Sequence, residues 1–171
     1  MLSRYFGDVR RNHALEHATV QLLLARLGPE LRLVGRASNN GFIIYGRVPP
    51  VALAECAQEG LTRLQRGEDY WAVTPLCGTN IATAGVMASL ATMAVSAISS
   101  GSKAKDRIGN AIAASVIAVA LAQPVGRLLQ EKITTSPDLA ETEILSIESR
   151  EDGKFHKVRT RRTYAPSNAS L

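Results

Sequence analysis

Two of the chain's three histidines stand four residues apart, with a carboxylate between them, in Asn12-His13-Ala14-Leu15-Glu16-His17-Ala18-Thr19. The pattern H-x-x-E-H is the zinc-protease helix motif in reverse order. Residues four apart share one face of a helix. His13 and His17 could therefore grip one metal ion, with Glu16 beside it to take a proton. A catalytic zinc site has three protein ligands and one open position. Candidates for the third ligand are Cys77, Cys56, His156 and the carboxylates. Cys77 is the strongest. It stands in Cys77-Gly78-Thr79-Asn80, after an expected strand and before an apolar helix, where helix-terminal amides stabilise a thiolate. Cys56, on a helix, reads better as a small buried hydrophobe. His156 reads as an ordinary histidine on a half-exposed strand.

The elements that must position these groups can be read in order. Asn12 is placed to cap a helix starting at His13. Ala14, Leu15, Ala18, Leu22 and Ala25 form its apolar stripe, and Gly28-Pro29 ends it. Leu31–Gly35 reads as a strand, Ser38-Asn39-Asn40-Gly41 as a turn, and Phe42–Gly46 as the return strand. Pro49-Pro50 opens a second helix, with Ala54, Ala57, Leu61 and Leu64 on its buried face and Gly67 as its stop. Tyr70–Val73 reads as a short strand. The fold class is α+β, a small antiparallel sheet with packed helices, giving a metal-binding domain over residues 1–77.

The composition then changes. No charged residue occurs from Tyr70 to Ser102. Residues 78–130 read as a transmembrane helical hairpin, with spans at about 80–99 and 108–126. A polar loop, Ser99 to Arg107, joins them. Small residues recur at every fourth position: Ala84, Ala88, Thr92 and Ser96, then Ala114, Ala118, Ala122 and Gly126. Such ridges let membrane helices approach closely. A helical hairpin buried in a soluble protein is the alternative. Lys103, Lys105 and Arg107 favour a cytoplasmic loop. Arg63, Arg66, Arg127 and Lys132 flank the spans on the other side, and Met1–Asp8 lacks the apolar run of a signal peptide. The balance is a two-span cell-membrane protein with both termini cytoplasmic. Residues 131–163 then form a β-hairpin, Glu143–Glu148 and Phe155–Thr160 around Glu151-Asp152-Gly153, expected to dock on the N-terminal domain. Residues 164–171 read as a disordered tail.

Composition narrows the function classes. Net charge is +5 with a pI near 9.6, but aromatic content is only 5%, so the stacking platforms of a nucleic-acid binder are scarce. Some of the positive charge suits anionic lipid headgroups, making membrane lipid the expected partner. Two cysteines imply no disulfide framework and suit a thiolate–metal bond in a reducing compartment.

The order His13-Ala14-Leu15-Glu16-His17, two strands around a turn ending Gly41-Phe42, a helix, then Cys77-Gly78-Thr79 resembles S-ribosylhomocysteine lyase, the LuxS enzyme family. That family shares a metallohydrolase fold with insulinase-type peptidases. The resemblance covers roughly the first eighty residues. It implies His13, His17 and Cys77 as metal ligands, Zn2+ as the metal, Glu16 as general base, and a homodimer. Ser38 stands where the lyase carries a second, catalytic cysteine, and the lyase has no membrane hairpin. Over its whole length the chain resembles an uncharacterised family of small bacterial membrane proteins, through His-Ala-Leu-Glu-His-Ala-Thr, Gly-Phe-x-x-Tyr-Gly, Cys-Gly-Thr-Asn and Gln-Pro-x-Gly. The expected function is a membrane-anchored zinc-dependent hydrolase acting on a peptide near the membrane or on a small molecule. Arg36, Ser38 and Asn40 would contact substrate, and Arg10 or Arg11 would help to orient an anionic one. The alternative is a non-catalytic membrane interaction or assembly protein that keeps the fold.

Overall fold

The computed structural model describes residues 2–98, 101 and 103–163. The expected tail at 164–171, and Ser99, Ser100 and Ser102 of the expected loop, lie outside the described residues. The chain forms two compact units, one of residues up to Thr74 together with those from Glu131 onward, the other Pro75–Gln130.

In the first unit α1 (Leu2–Leu27) is followed by β1 (Val34–Ser38), β2 (Gly41–Tyr45) and α2 (Pro50–Gln65). A 3-10 turn (Asp69–Ala72) leads out of the unit. The chain returns through β3 (Thr142–Ser149) and β4 (Phe155–Arg162). The four strands make one antiparallel sheet in the order β1-β2-β4-β3. Phe42 and Ile44 of β2 and His156, Val158 and Thr160 of β4 alternate toward one buried face. There they join Leu15, Leu23, Leu53, Cys56 and Leu61 of the two helices in one core. The two helices approach closely at Gly60, where an added Cβ would sit 3.1 Å from the Ala18 Cβ.

Three elements differ from the sequence reading. First, α1 starts at Leu2, eleven residues before His13, so Asn12 is not a cap. It is buried inside the helix, donating from Nδ2 to the Ser38 carbonyl at 2.8 Å and accepting from the Thr160 hydroxyl at 2.6 Å. The preceding turns are held by tertiary bonds: the Arg10 guanidinium donates to the carbonyls of Lys132 and Thr135, and Arg11 to that of Asp138. Ala25, expected on the apolar stripe, is exposed. Second, β1 is Val34–Ser38 rather than 31–35. Pairing of Ser38 with Gly41 fixes a two-residue turn at Asn39-Asn40 and hence the register. Third, Asp69–Ala72 coils into a 3-10 turn where a strand was expected. The Glu68 carboxylate collects both the Tyr70 hydroxyl (3.0 Å) and the Trp71 indole N–H (3.1 Å), and this local clamp overrides β propensity. The boundaries of α2 match Pro50 in its first turn and Gly67, at φ 82°, just past its end.

The second unit is a pair of helices, α3 (Gly78–Ile98) and α4 (Ala104–Leu129). Both are long and apolar enough to cross a membrane. Their outer faces expose Ile81, Leu90, Met93, Ile112, Ile117 and Leu121. Small residues line the contact between them: Ala118, Ala122 and Gly126 are buried, and Ala84, Ala88 and Thr92 are half-buried, while Ser96 is exposed. The Thr92 and Ser115 hydroxyls bond across the pair at 2.7 Å. Near its base Gln130 donates to the Asn80 side-chain oxygen at 3.0 Å, and Gly126 leaves room for Asn80.

Candidate metal centre

His13 and His17 leave the same face of α1, their rings edge to face with centroids 4.3 Å apart. Each ring is oriented through Nδ1. His13 Nδ1 lies 3.0 Å from the Thr134 carbonyl, and His17 Nδ1 lies 2.7 Å from that of Ala72. A carbonyl oxygen can only accept, so both Nδ1 atoms carry the proton. In a neutral imidazole this leaves Nε2 as a lone-pair donor, the tautomer that a metal needs. Carbonyls that accept from the far ring nitrogen are how ligating histidines are commonly fixed in orientation.

The His17 ring is buried, and among the described residues its Nε2 has no hydrogen-bond partner. A buried polar atom left unsatisfied costs about 1–3 kcal/mol. A divalent cation would satisfy it, so the residues present fit a metal. Glu16, also buried, places Oε2 3.8 Å from His13 Nε2. Its carboxylate occupies a space that exists because β1 has glycine at 35. A Cβ there would come within 2.7 Å of Glu16 Cγ and closer still to the carboxylate. The first unit thus brings together two metal-competent nitrogens and one carboxylate.

Cys77 belongs to the second unit, at the start of α3. It is buried, is not in a disulfide, and accepts from the Thr79 backbone N–H at 3.4 Å. Cys77 lies five positions along the chain from Ala72, whose carbonyl holds His17.

The other candidates have structural work. Cys56 is fully buried in the core, and burial pushes its thiol above the usual cysteine range, keeping it a neutral packing group. His156 is buried rather than half-exposed. Its Nδ1 meets the Ser149 hydroxyl at 2.7 Å and its Nε2 donates to the Gly153 carbonyl at 3.0 Å, so both nitrogens latch the β3–β4 turn. The Ser38 hydroxyl is shared between Asn40 Oδ1 (2.9 Å) and the Gly41 carbonyl (3.0 Å), while the Asn40 carbonyl accepts from the Thr160 N–H. Both shape the hairpin turn. Arg36 is exposed on β1, and strand alternation points it to the face opposite Gly35 and Glu16. Arg11 is ion-paired with Asp8 and Asp138, and Arg10 is committed to backbone carbonyls.

Three features of the site escaped the sequence reading: Gly35 and the carbonyls of Ala72 and Thr134. Only Gly35 left a trace, since a glycine within a strand marks a close approach.

The chain is similar to an uncharacterized protein of Picosynechococcus sp., 31% identical over an alignment that covers 90% of this chain and 79% of that protein. No solved structure matches significantly. The profile of the family described as "Domain of unknown function (DUF6391)" matches residues 8–147, and the chain belongs to that family.

Proposed function

We propose that this protein is a membrane-anchored, zinc-dependent hydrolase whose ion is held by His13 Nε2, His17 Nε2 and Cys77 Sγ. The observation that carries the reading is the pair of carbonyl-tethered histidines, one of them with a buried, unpartnered Nε2. Two nitrogens and one sulfur suit zinc and leave the fourth, open position of a catalytic site. When bound, the ion supplies Lewis acidity that eases deprotonation of water near neutral pH. Glu16 takes that proton and returns it to the leaving group. Burial of Glu16 beside His13 suits both halves of the transfer. Ser38, committed to its turn, supplies no thiolate, so the thiol chemistry of the lyase is not carried over.

The α3–α4 hairpin anchors the chain in the cell membrane with both termini cytoplasmic, and the substrate is a peptide near the bilayer or a small molecule. The LuxS-like ancestry of the first unit, and the homodimer that goes with it, rest on the order of motifs. Charge depletion over α3 and α4 and their exposed apolar faces support the anchor.

The test is elemental analysis of freshly purified protein. Wild type is expected to carry about one zinc per chain. His13→Ala, His17→Ala and Cys77→Ala should each lose it, and Glu16→Gln should keep it. Metal-free wild type would refute the centre, and metal retained in Cys77→Ala would assign the third ligand elsewhere. Release of the chain by alkaline carbonate would refute the anchor.

A further inference from the structure

The second unit holds a cleft of about 410 Å³ at the loop end of the helix pair. Arg107, near the start of α4, lines it. Thr92 and Ser96 of α3 and Ile108, Ile112 and Ser115 of α4 also line it, the two isoleucines at its exposed apolar edge. From Arg107 to Ser115 the cleft follows two turns of α4, about 12 Å at 1.5 Å per residue. Among the described residues the half-buried Arg107 guanidinium has no hydrogen-bond or ion-pair partner. The Thr92 and Ser115 hydroxyls are already used. Thr92 donates to the Ala88 carbonyl, Ser115 to that of Ala111, and the two also meet each other. The cleft therefore offers one strong cationic donor, Arg107, with the apolar side chains of Ile108 and Ile112 beside it.

That polarity selects the occupant. A bare oxyanion would satisfy Arg107 and leave the two isoleucines uncovered. A second copy of the chain would have to cover Arg107 with helix surface that holds no carboxylate but Asp106, the one acidic residue between Gly78 and Leu129. An amphiphile with an anionic head matches both features. Lys103 and Lys105 lie in the same turn and raise the local positive charge, against Asp106 alone. Basic pockets between membrane helices recognise lipid headgroups in this way. We propose that the cleft is a specific site for an anionic phospholipid, with its phosphate on Arg107 and an acyl chain along Ile108 and Ile112. The site rests on the reading of α3 and α4 as a membrane hairpin and is independent of the metal centre.

The experiment uses the full chain in nanodiscs of equimolar phosphatidylcholine and phosphatidylglycerol. The protein is then released into mild detergent, and native mass spectrometry counts the retained lipid. Wild type should keep one phosphatidylglycerol in preference to phosphatidylcholine. Losing the charge-assisted bonds in Arg107→Ala should weaken retention about tenfold or more, with Arg107→Lys in between. Ile112→Trp should also lose the lipid, with the cation still in place, by filling the cleft. Equal retention of the two lipids by wild type, or undiminished retention in Arg107→Ala, overturns the proposal. Complete displacement by inorganic phosphate also overturns it, by showing a phosphate site with no chain. A chain that never enters the discs refutes the hairpin, and the site with it; a chain that enters without preference refutes the site alone.

Discussion

Gly35 is the sharpest point at which to perturb the centre, because its role is purely spatial. Its backbone is not in the left-handed region, so alanine meets no conformational barrier there. At such a position Gly→Ala ordinarily stabilises, by about 0.4–1 kcal/mol, through the unfolded chain. Here the new Cβ would fall on Glu16, at 2.7 Å from Cγ and nearer to the carboxylate. Carbon atoms in contact sit about 3.5–4.0 Å apart, so the Glu16 side chain must leave its rotamer within a buried space. Overpacking of this kind costs about 1–3 kcal/mol. For a chain of this size that lowers the melting temperature by roughly 2–4 °C per kcal/mol, or about 2–12 °C in all. Trp71, the chain's one tryptophan, reports the transition from the first unit. All the clashing atoms of Glu16 lie beyond Cβ, so Glu16→Ala removes them. In that background Gly35→Ala should be neutral or mildly stabilising. The double-mutant cycle isolates this coupling. An equal melting-temperature loss in both backgrounds would refute the assignment of Gly35 as the cradle of Glu16. In the wild-type background Gly35→Ala should also leave the zinc content of the proposed centre unchanged, since the clashing side chain, Glu16, is not among the proposed ligands.

Asn12→Leu should destabilise the first unit by about 1–3 kcal/mol, because the Ser38 carbonyl and the Thr160 hydroxyl lose a buried partner. Denaturant unfolding measures this, and Thr160→Val added to Asn12→Leu should recover part of the loss. Glu59 is held below its ordinary value of 4.5 by hydrogen bonding from Arg63 and then Arg26, and Glu68 by bonds from Tyr70, Trp71 and Arg63. A lowered folded value means that the carboxylates add stability above pH 4.5, and that this is lost as pH falls through the lowered value. The gap in melting temperature between wild type and Glu59→Gln should therefore be constant above pH 5 and close in more acid solution; it should be small, because the pairs are exposed. A gap that widens toward acid would contradict the sign.

How much of this was legible depends on whether the determinant was local. The α2 boundaries rest on Pro50 and Gly67, and the two hairpin turns on Asn39-Asn40-Gly41 and Asp152-Gly153, all of which act through their own backbone preferences. The start of α1 could not be read in this way. Leu2, Tyr5, Phe6 and Val9 do recur at helical spacing, but Leu2, Tyr5 and Phe6 stay exposed, and the helix is held where Arg10 and Arg11 reach carbonyls more than a hundred residues away. Tyr70-Trp71 failed for a related reason. Both residues favour strands, yet Glu68 supplies an acceptor for each polar tip and the segment closes into a turn. At the centre, spacing was enough to pair His13 with His17, because helical periodicity is local. The tautomer of each ring was not legible, since it depends on carbonyls at 72 and 134, set by tertiary packing.

Those two carbonyls carry a further consequence. Ala72 lies just before the chain leaves the first unit, and Thr134 just after it returns. The residues between them, 75–130, are the helix pair. Each histidine is therefore aimed by one of the two segments that flank the hairpin, and the third ligand in the proposed set, Cys77, is at its first turn. Arg10 and His13 grip the returning segment at Lys132, Thr134 and Thr135, while Gln21 and His17 grip the departing one at Trp71, Ala72 and Val73. One face of α1 thus clasps both ends of the excursion. A metal site built on that face is complete only when both strands of the chain are seated. The segments that lead to and from the helix pair thus set the tautomer and orientation of both histidines of the proposed centre.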